Sequence, residues 1–143
     1  MMIEQFLIAK IAGRRIAIPT AQVQSVIDLG DIMPAPLAPP QVRGLVAIRS
    51  RVVTVINADV ALVAGTSTSE NRRAVITVVD GHDYAVLVES LDEVETLARQ
   101  PLSPGMALTD GWRACAMGLV ELAGEPMLII DLAAWIPSVA LAA

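Results

Sequence analysis

One stretch of this chain occurs twice. Gly44-Leu45-Val46-Ala47-Ile48-Arg49-Ser50-Arg51-Val52-Val53-Thr54-Val55-Ile56-Asn57 reads as strand, tight turn, strand. Gly118-Leu119-Val120-Glu121-Leu122-Ala123-Gly124-Glu125-Pro126-Met127-Leu128-Ile129-Ile130-Asp131 reads the same way with no gap. Each copy runs into a short Ala-rich segment, and each is preceded by a further hairpin, over residues 6–18 and 75–88, turning at Ala12-Gly13 and Asp80-Gly81. A duplicated hairpin pair calls for two related small β units and disfavours a single α/β catalytic domain. Turn signals close together, about ten short strands and two or three helical turns favour small barrels, which leave few exposed strand edges.

The linking segments follow from turn chemistry. Pro19 ends a strand, and Thr20 is placed to cap a helical turn. Val26-Ile27 is a short strand. Residues 33–40, with Pro34, Pro36, Pro39 and Pro40, read as a stiff extended connector. Residues 64–73 lack apolar periodicity and read as a flexible loop joining subdomains at 1–65 and 74–143 of one 143-residue domain. Residues 94–97 are a candidate strand and 100–110 a loop. Asp131 is placed to cap a terminal helix running to Ile136, where Pro137 discourages continuation.

Hydrophobic residues make up 55% of the chain and charged residues 17%. No apolar run reaches the ~18 residues of a membrane helix, so the surplus belongs to cores or contact surfaces. A net charge of −5 argues against nucleic acid. The charge is unevenly spread: residues 1–73 carry +3 and residues 74–143 carry −8. Such a module can meet partners positive end to negative end. Nine of the ten basic residues are Arg, the better residue for forked carboxylate pairing.

Catalytic chemistry is poorly supplied. His82 is the sole histidine and falls in a turn beside Asp80 and Asp83; Cys115 is the sole cysteine and lies in an apolar strand-like context suited to packing and to a reducing cytoplasm. One Cys and one His cannot make a Cys/His zinc site. Glu89, Asp92, Glu93 and Glu95 crowd one segment, read as a solvated edge or docking patch. No glycine-rich phosphate loop occurs. The expectation is no enzyme, no cofactor, no metal and no catalytic residue.

The segment Pro39-Pro40-Gln41-Val42-Arg43-Gly44-Leu45-Val46-Ala47-Ile48-Arg49-Ser50-Arg51-Val52-Val53-Thr54-Val55-Ile56-Asn57 resembles the core motif of the CheW-like chemotaxis coupling proteins. Phe6-Leu7-Ile8 with Ala17-Ile18, Val23-Gln24-Ser25-Val26, Ala85-Val86-Leu87-Val88-Glu89, Val94-Glu95-Thr96-Leu97 and residues 118–132 resemble other family segments in order, so the resemblance spans nearly the whole chain. Ala47, Ser50, Thr54, Asn57 and Ser25 depart from the family's Asn, Gly, Pro, Asp and Glu. Ser50 stands at a turn position that usually takes Gly, and Ser25 lacks a carboxylate that could meet a partner.

The resemblance implies an all-β fold of two SH3-like five-stranded barrels with a groove between them, short helical turns and a C-terminal helix. It implies a cytoplasmic, non-catalytic adaptor recruited to membrane receptor arrays without direct membrane insertion. Its partners would be the cytoplasmic tip of methyl-accepting chemoreceptors, the regulatory domain of a CheA-type histidine kinase and other CheW-like domains. Val23, Val26, Arg49 and Val75 match family positions and are the expected protein-contact residues. Two alternatives stay open: an adaptor of another chemosensory pathway, serving surface motility or development, and a small-ligand-binding β-barrel protein.

Overall fold

Apolar residues alternate along the strands in two interleaved sets, and the computed structural model shows where each set goes. The structure describes residues 2–58, 72–102, 105–108 and 110–140. The strands are β1 (Met2–Ile11), β2 (Arg14–Pro19), β3 (Ser25–Asp28), β4 (Val42–Ile48), β5 (Arg51–Asn57), β6 (Arg73–Val79), β7 (His82–Leu87), β8 (Ser90–Arg99), β9 (Ala116–Leu122) and β10 (Glu125–Ile130), with helices α1 (Asp110–Cys115) and α2 (Leu132–Ala140). They form two five-stranded sheets, ordered β8-β1-β2-β10-β9 and β3-β6-β7-β5-β4.

The two orders are the same arrangement used twice. Antiparallel hairpins β1–β2 and β6–β7 correspond, as do the repeated hairpins β9–β10 and β4–β5. Each repeated hairpin joins its sheet through a parallel pair, β10 with β2 and β5 with β7. Each sheet closes into a barrel through one two-bond bridge. Met33 and Leu45 exchange hydrogen bonds of 2.8 Å, and so do Gln100 and Leu119. The glycines that open the repeat sit under these bridges. A side chain on Gly44 would collide with the Met33 carbonyl, and a Cβ on Gly118 would lie 2.9 Å from the Gln100 carbonyl oxygen.

The barrels are not the two halves of the chain. β3 follows β2 but pairs with β6, while β8 follows β7 but pairs with β1. The expected division into 1–65 and 74–143 is therefore corrected: the first barrel takes β1, β2 and β8–β10, and the second takes β3–β7. The physical reason is reciprocal exchange. The strand after each N-terminal hairpin crosses to the other sheet. The proposed joining loop falls mainly on residues 59–71, outside the described residues, and Arg73 already belongs to β6.

Strand alternation feeds three cores. Phe6, Ile8, Ala17, Val120, Met127 and Ile129 fill the first barrel. Val46, Val53, Val55, Ala74, Ile76, Ala85 and Leu87, with Leu29, fill the second. The other strand faces meet at the largest cluster, between the barrels, where Leu7, Ile16, Ile18, Leu128 and Ile130 pack with Ile56, Val75, Val86 and Val88. Trp112 and Cys115 of α1 and Leu132, Trp135 and Ile136 of α2 plug the same seam. Strands covered on both faces explain the apolar surplus.

Several local expectations change. Residues 110–115 form α1, so Cys115 is helical rather than strand-like and β9 begins at Ala116. Thr20 does not cap the 3-10 turn Thr20–Gln22; its hydroxyl donates to the Gln5 carbonyl instead. Asp131 does cap α2, accepting the Ala134 N–H at 3.2 Å, but the helix runs on through Pro137. Burial of Trp135 and Ile136 in the seam holds that turn although proline removes a helical hydrogen bond. The proline-rich connector is bent rather than extended: Ala38 N–H reaches the Ala35 carbonyl and exposed Leu37 takes φ 65°.

Two polar ties cross between structural units. Gly13 N–H donates to Glu89 at 2.8 Å. The Gln22 amide donates to Asp131 Oδ1 at 2.8 Å and accepts Leu132 N–H at 2.7 Å, binding the 3-10 turn to the start of α2.

Candidate protein-docking site

Four two-residue hairpin turns place both central residues at positive φ, the geometry that suits right-twisted strands. Ala12-Gly13, Asp80-Gly81 and Ala123-Gly124 each put glycine second. Arg49-Ser50, at φ 49° and 68°, has no glycine. A non-glycine residue in this region costs about 1–2 kcal/mol, so this turn carries more strain than its three counterparts. β4 ends at Ile48, Arg49 is itself in the turn, and Arg51 opens β5.

The turn overhangs a cleft of about 410 Å³ between β3 and the β4–β5 hairpin. Gln24, Ser25, Val26, Ile27, Ile48, Arg49, Arg51, Val53, Ile76 and Asp83 line it. Arg51 Nη1 lies 3.0 Å from Asp83 Oδ2. The Asp83 side chain is only 11% exposed, and its Oδ1 is buried with no hydrogen-bond partner. Arg49 is exposed and makes no ion pair among the described residues, so an intramolecular salt bridge does not account for it. Across the β3–β6 pairing, Arg73 forks Asp28, its shorter hydrogen bond 3.0 Å; that hydrogen bond and the nearby guanidinium charge hold the Asp28 carboxyl below its ordinary range.

The expected contact residues separate. Val26, 41% exposed, shares the cleft with Arg49. Val23 is half-buried and lines a second cleft of about 510 Å³ with Ala21, Gln22, Gln24, Thr77, Val78 and Ala133. Val75 is corrected: it is fully buried in the seam core and cannot meet a partner directly. It sits opposite Val26 in the β3–β6 register, but on a central strand, while Val26 is on an edge.

Arg51, Asp83 and Ile48 are site residues that sequence reasoning missed. Arg51 was discoverable, because its counterpart in the repeat is Glu125 and a reversed charge at one hairpin position is visible in the sequence. Asp83 comes from a different hairpin, and only the parallel pairing of β5 with β7 brings it to Arg51. His82 is exposed at the start of β7. Among the described residues, no three His, Cys, Asp or Glu side chains are grouped to hold a metal, and no helix is long and apolar enough to cross a membrane. Burial pushes the Cys115 thiol up to about 12.

Comparison with known proteins bears on the whole chain. A family model described as CheW-like domain matches residues 5–140. No curated protein matches significantly. Among solved structures, the scaffolding protein TtCheW from Thermoanaerobacter tengcongensis superimposes with a TM-score of 0.79 at 18% identity, over 92% of this chain and 90% of that one. That likeness establishes a shared fold: mostly β, with two five-stranded sheets consistent with SH3-like barrels.

Proposed function

This chain belongs to the CheW-like domain family, and from that premise we propose that it is a non-catalytic chemosensory adaptor linking methyl-accepting receptors to a CheA-type histidine kinase. In this reading the protein is cytoplasmic and is recruited to receptor arrays through its partners. It acts by making different contacts with different states of the kinase, which biases the kinase's active population. Other CheW-like domains are further candidate partners.

The observation that carries the proposal is Arg49: an exposed guanidinium without an ion pair among the described residues, on a strained turn, at the motif's Arg position, over a cleft. The repeat supplies a control, because Ala123 occupies the same place in the first barrel's turn at φ 52°. The backbone there needs no charge. Val26 on the cleft wall and Val23 in the neighbouring cleft supply apolar contact area.

The test is co-sedimentation or calorimetry with receptor-tip and kinase regulatory fragments from the same genome. Arg49→Ala should leave the unfolding midpoint nearly unchanged, since an exposed side chain without an ion pair contributes little. It should weaken complex formation by about ten-fold or more, as expected when a desolvated charged contact loses one partner. Unchanged binding removes Arg49 from the interface, and absence of binding by the wild-type protein overturns the coupling reading.

A further inference from the structure

The chain crosses between the barrels after each N-terminal hairpin, and the two crossings are built differently. From β7 to β8 only Val88 and Glu89 intervene, and both are tied by their own backbone. Val88 N–H reaches the Arg73 carbonyl at 3.0 Å, and Glu89 N–H reaches the Lys10 carbonyl at 2.8 Å. From β2 to β3 the crossing is longer: residues 20–24, with the 3-10 turn Thr20–Gln22 among them. Its two ends are anchored, the Thr20 hydroxyl donating to the Gln5 carbonyl and Gln24 N–H to the Ile76 carbonyl at 2.8 Å. Between those ends stands Gln22.

Gln22 uses both halves of its amide on the start of α2. Its Nε2 donates to Asp131 Oδ1 at 2.8 Å, and its Oε1 accepts Leu132 N–H at 2.7 Å. The same Asp131 oxygen accepts Ala134 N–H at 3.2 Å, so this latch is joined to the cap of the helix. Glutamine suits the place because it donates and accepts at once without charge. A glutamate of equal length could accept from Leu132 but would set a second carboxylate against Asp131.

The latch borders the cleft of about 510 Å³. That cleft is lined by the crossing itself, with Val23, by Thr77 and Val78 of β6, and by Ala133 of α2. Val23 follows Gln22 in the chain, and Ala133 follows Leu132. Resting on the docking role proposed above, we infer that Gln22 is a positioning residue: its paired hydrogen bonds hold the crossing segment against α2 and so set the shape of the cleft in which Val23 meets a partner. A turn released from α2 carries Val23 with it, and a contact residue displaced by even a fraction of an ångström loses its fit.

The test uses the full-length protein with methyl-labelled valine and alanine, and a receptor-tip fragment from the same genome. Gln22→Glu should move the Val23 and Ala133 methyl resonances of the free protein and speed exchange of the Leu132 amide. It should weaken fragment binding about ten-fold, as expected when one member of a shared hydrogen-bond network is broken. Asp131→Asn alone should match the wild type, because asparagine still caps α2 and still accepts from Gln22. The two changes together should restore both methyl positions and binding, since the amide introduced at position 131 donates to the carboxylate introduced at position 22. Gln22→Ala should displace the same methyls, and Asp131→Asn should not rescue it. Methyl positions unmoved in both Gln22 variants would overturn the inference. So would unchanged binding despite moved methyls, or a double variant no better than Gln22→Glu. A wild-type protein that binds no receptor-tip fragment overturns the coupling reading; the latch then stands or falls on the methyl and exchange results alone.

Discussion

The two barrels share a strand order, a parallel seam pair, a closing bridge and a hairpin sequence, yet they differ at their outer ends. The first is sealed by a ten-residue β8 that carries Asp92, Glu93 and Glu95; the second is bordered by a four-residue β3 and carries Arg49 and Arg51. What stays constant across the pair is what folding demands: glycine beneath the bridge, alternating apolar residues and two positive-φ turn residues. What varies is available for recognition. The comparison thus separates residues that the fold requires from residues that it leaves free to vary within a single chain.

The largest effect should come from the closing bridges. Gly44→Ala drives a methyl group into the Met33 carbonyl and should cost about 3 kcal/mol, whereas Gly118→Ala, with its nearest atom at 2.9 Å, should cost about 1–2 kcal/mol. Urea unfolding measures both. Equal costs would mean that the two bridges do not close their barrels in the same way.

Next comes the contrast between two valines facing each other across β3 and β6. Val75→Thr places a hydroxyl in the dry seam and should cost about 1–3 kcal/mol. Val26→Thr, on the exposed edge, should stay within about 0.5 kcal/mol. If both are neutral, the seam is not a packed core.

The turn strain predicts a smaller change of opposite sign. Ser50→Gly should stabilise the protein by about 1 kcal/mol, and Gly124→Ser should destabilise it by a similar amount. A neutral Ser50→Gly would show that the second barrel's turn relaxes in another way.

The last effect concerns pH and is the smallest at any pH up to about 9. Desolvation raises the Cys115 thiol from its ordinary 9.0 to about 12. The folded state therefore keeps its proton longer than the unfolded chain. This contribution is fully present below pH 9 and declines as pH rises from there toward 12. Chemical denaturation across that range should show a falling midpoint that Cys115→Ala reduces. Native protein at pH 8 should resist thiol alkylation until denaturant is added.

Much of this was legible in the residues themselves. The ungapped repeat located both hairpins and their turns, and alternating apolar residues announced strands. Strand exchange was not legible, because β3 and β8 are short segments whose local composition does not say which sheet they join. Val75 was misplaced for a related reason. In strands covered on both faces, Val75 and Ile76 look alike, and only topology reveals that one points into the seam and the other into a barrel. The motif drew attention to Arg49 and a separate family segment to Val26, whereas the place of Asp83 in the same cleft needed the parallel pairing of two distant hairpins.

The crossing of β3 and β8 also has a mechanical meaning. Each barrel is built in part from chain that left the other one, so the two are interlocked like clasped hands. A load applied to one barrel passes into the opposite barrel through strand backbones.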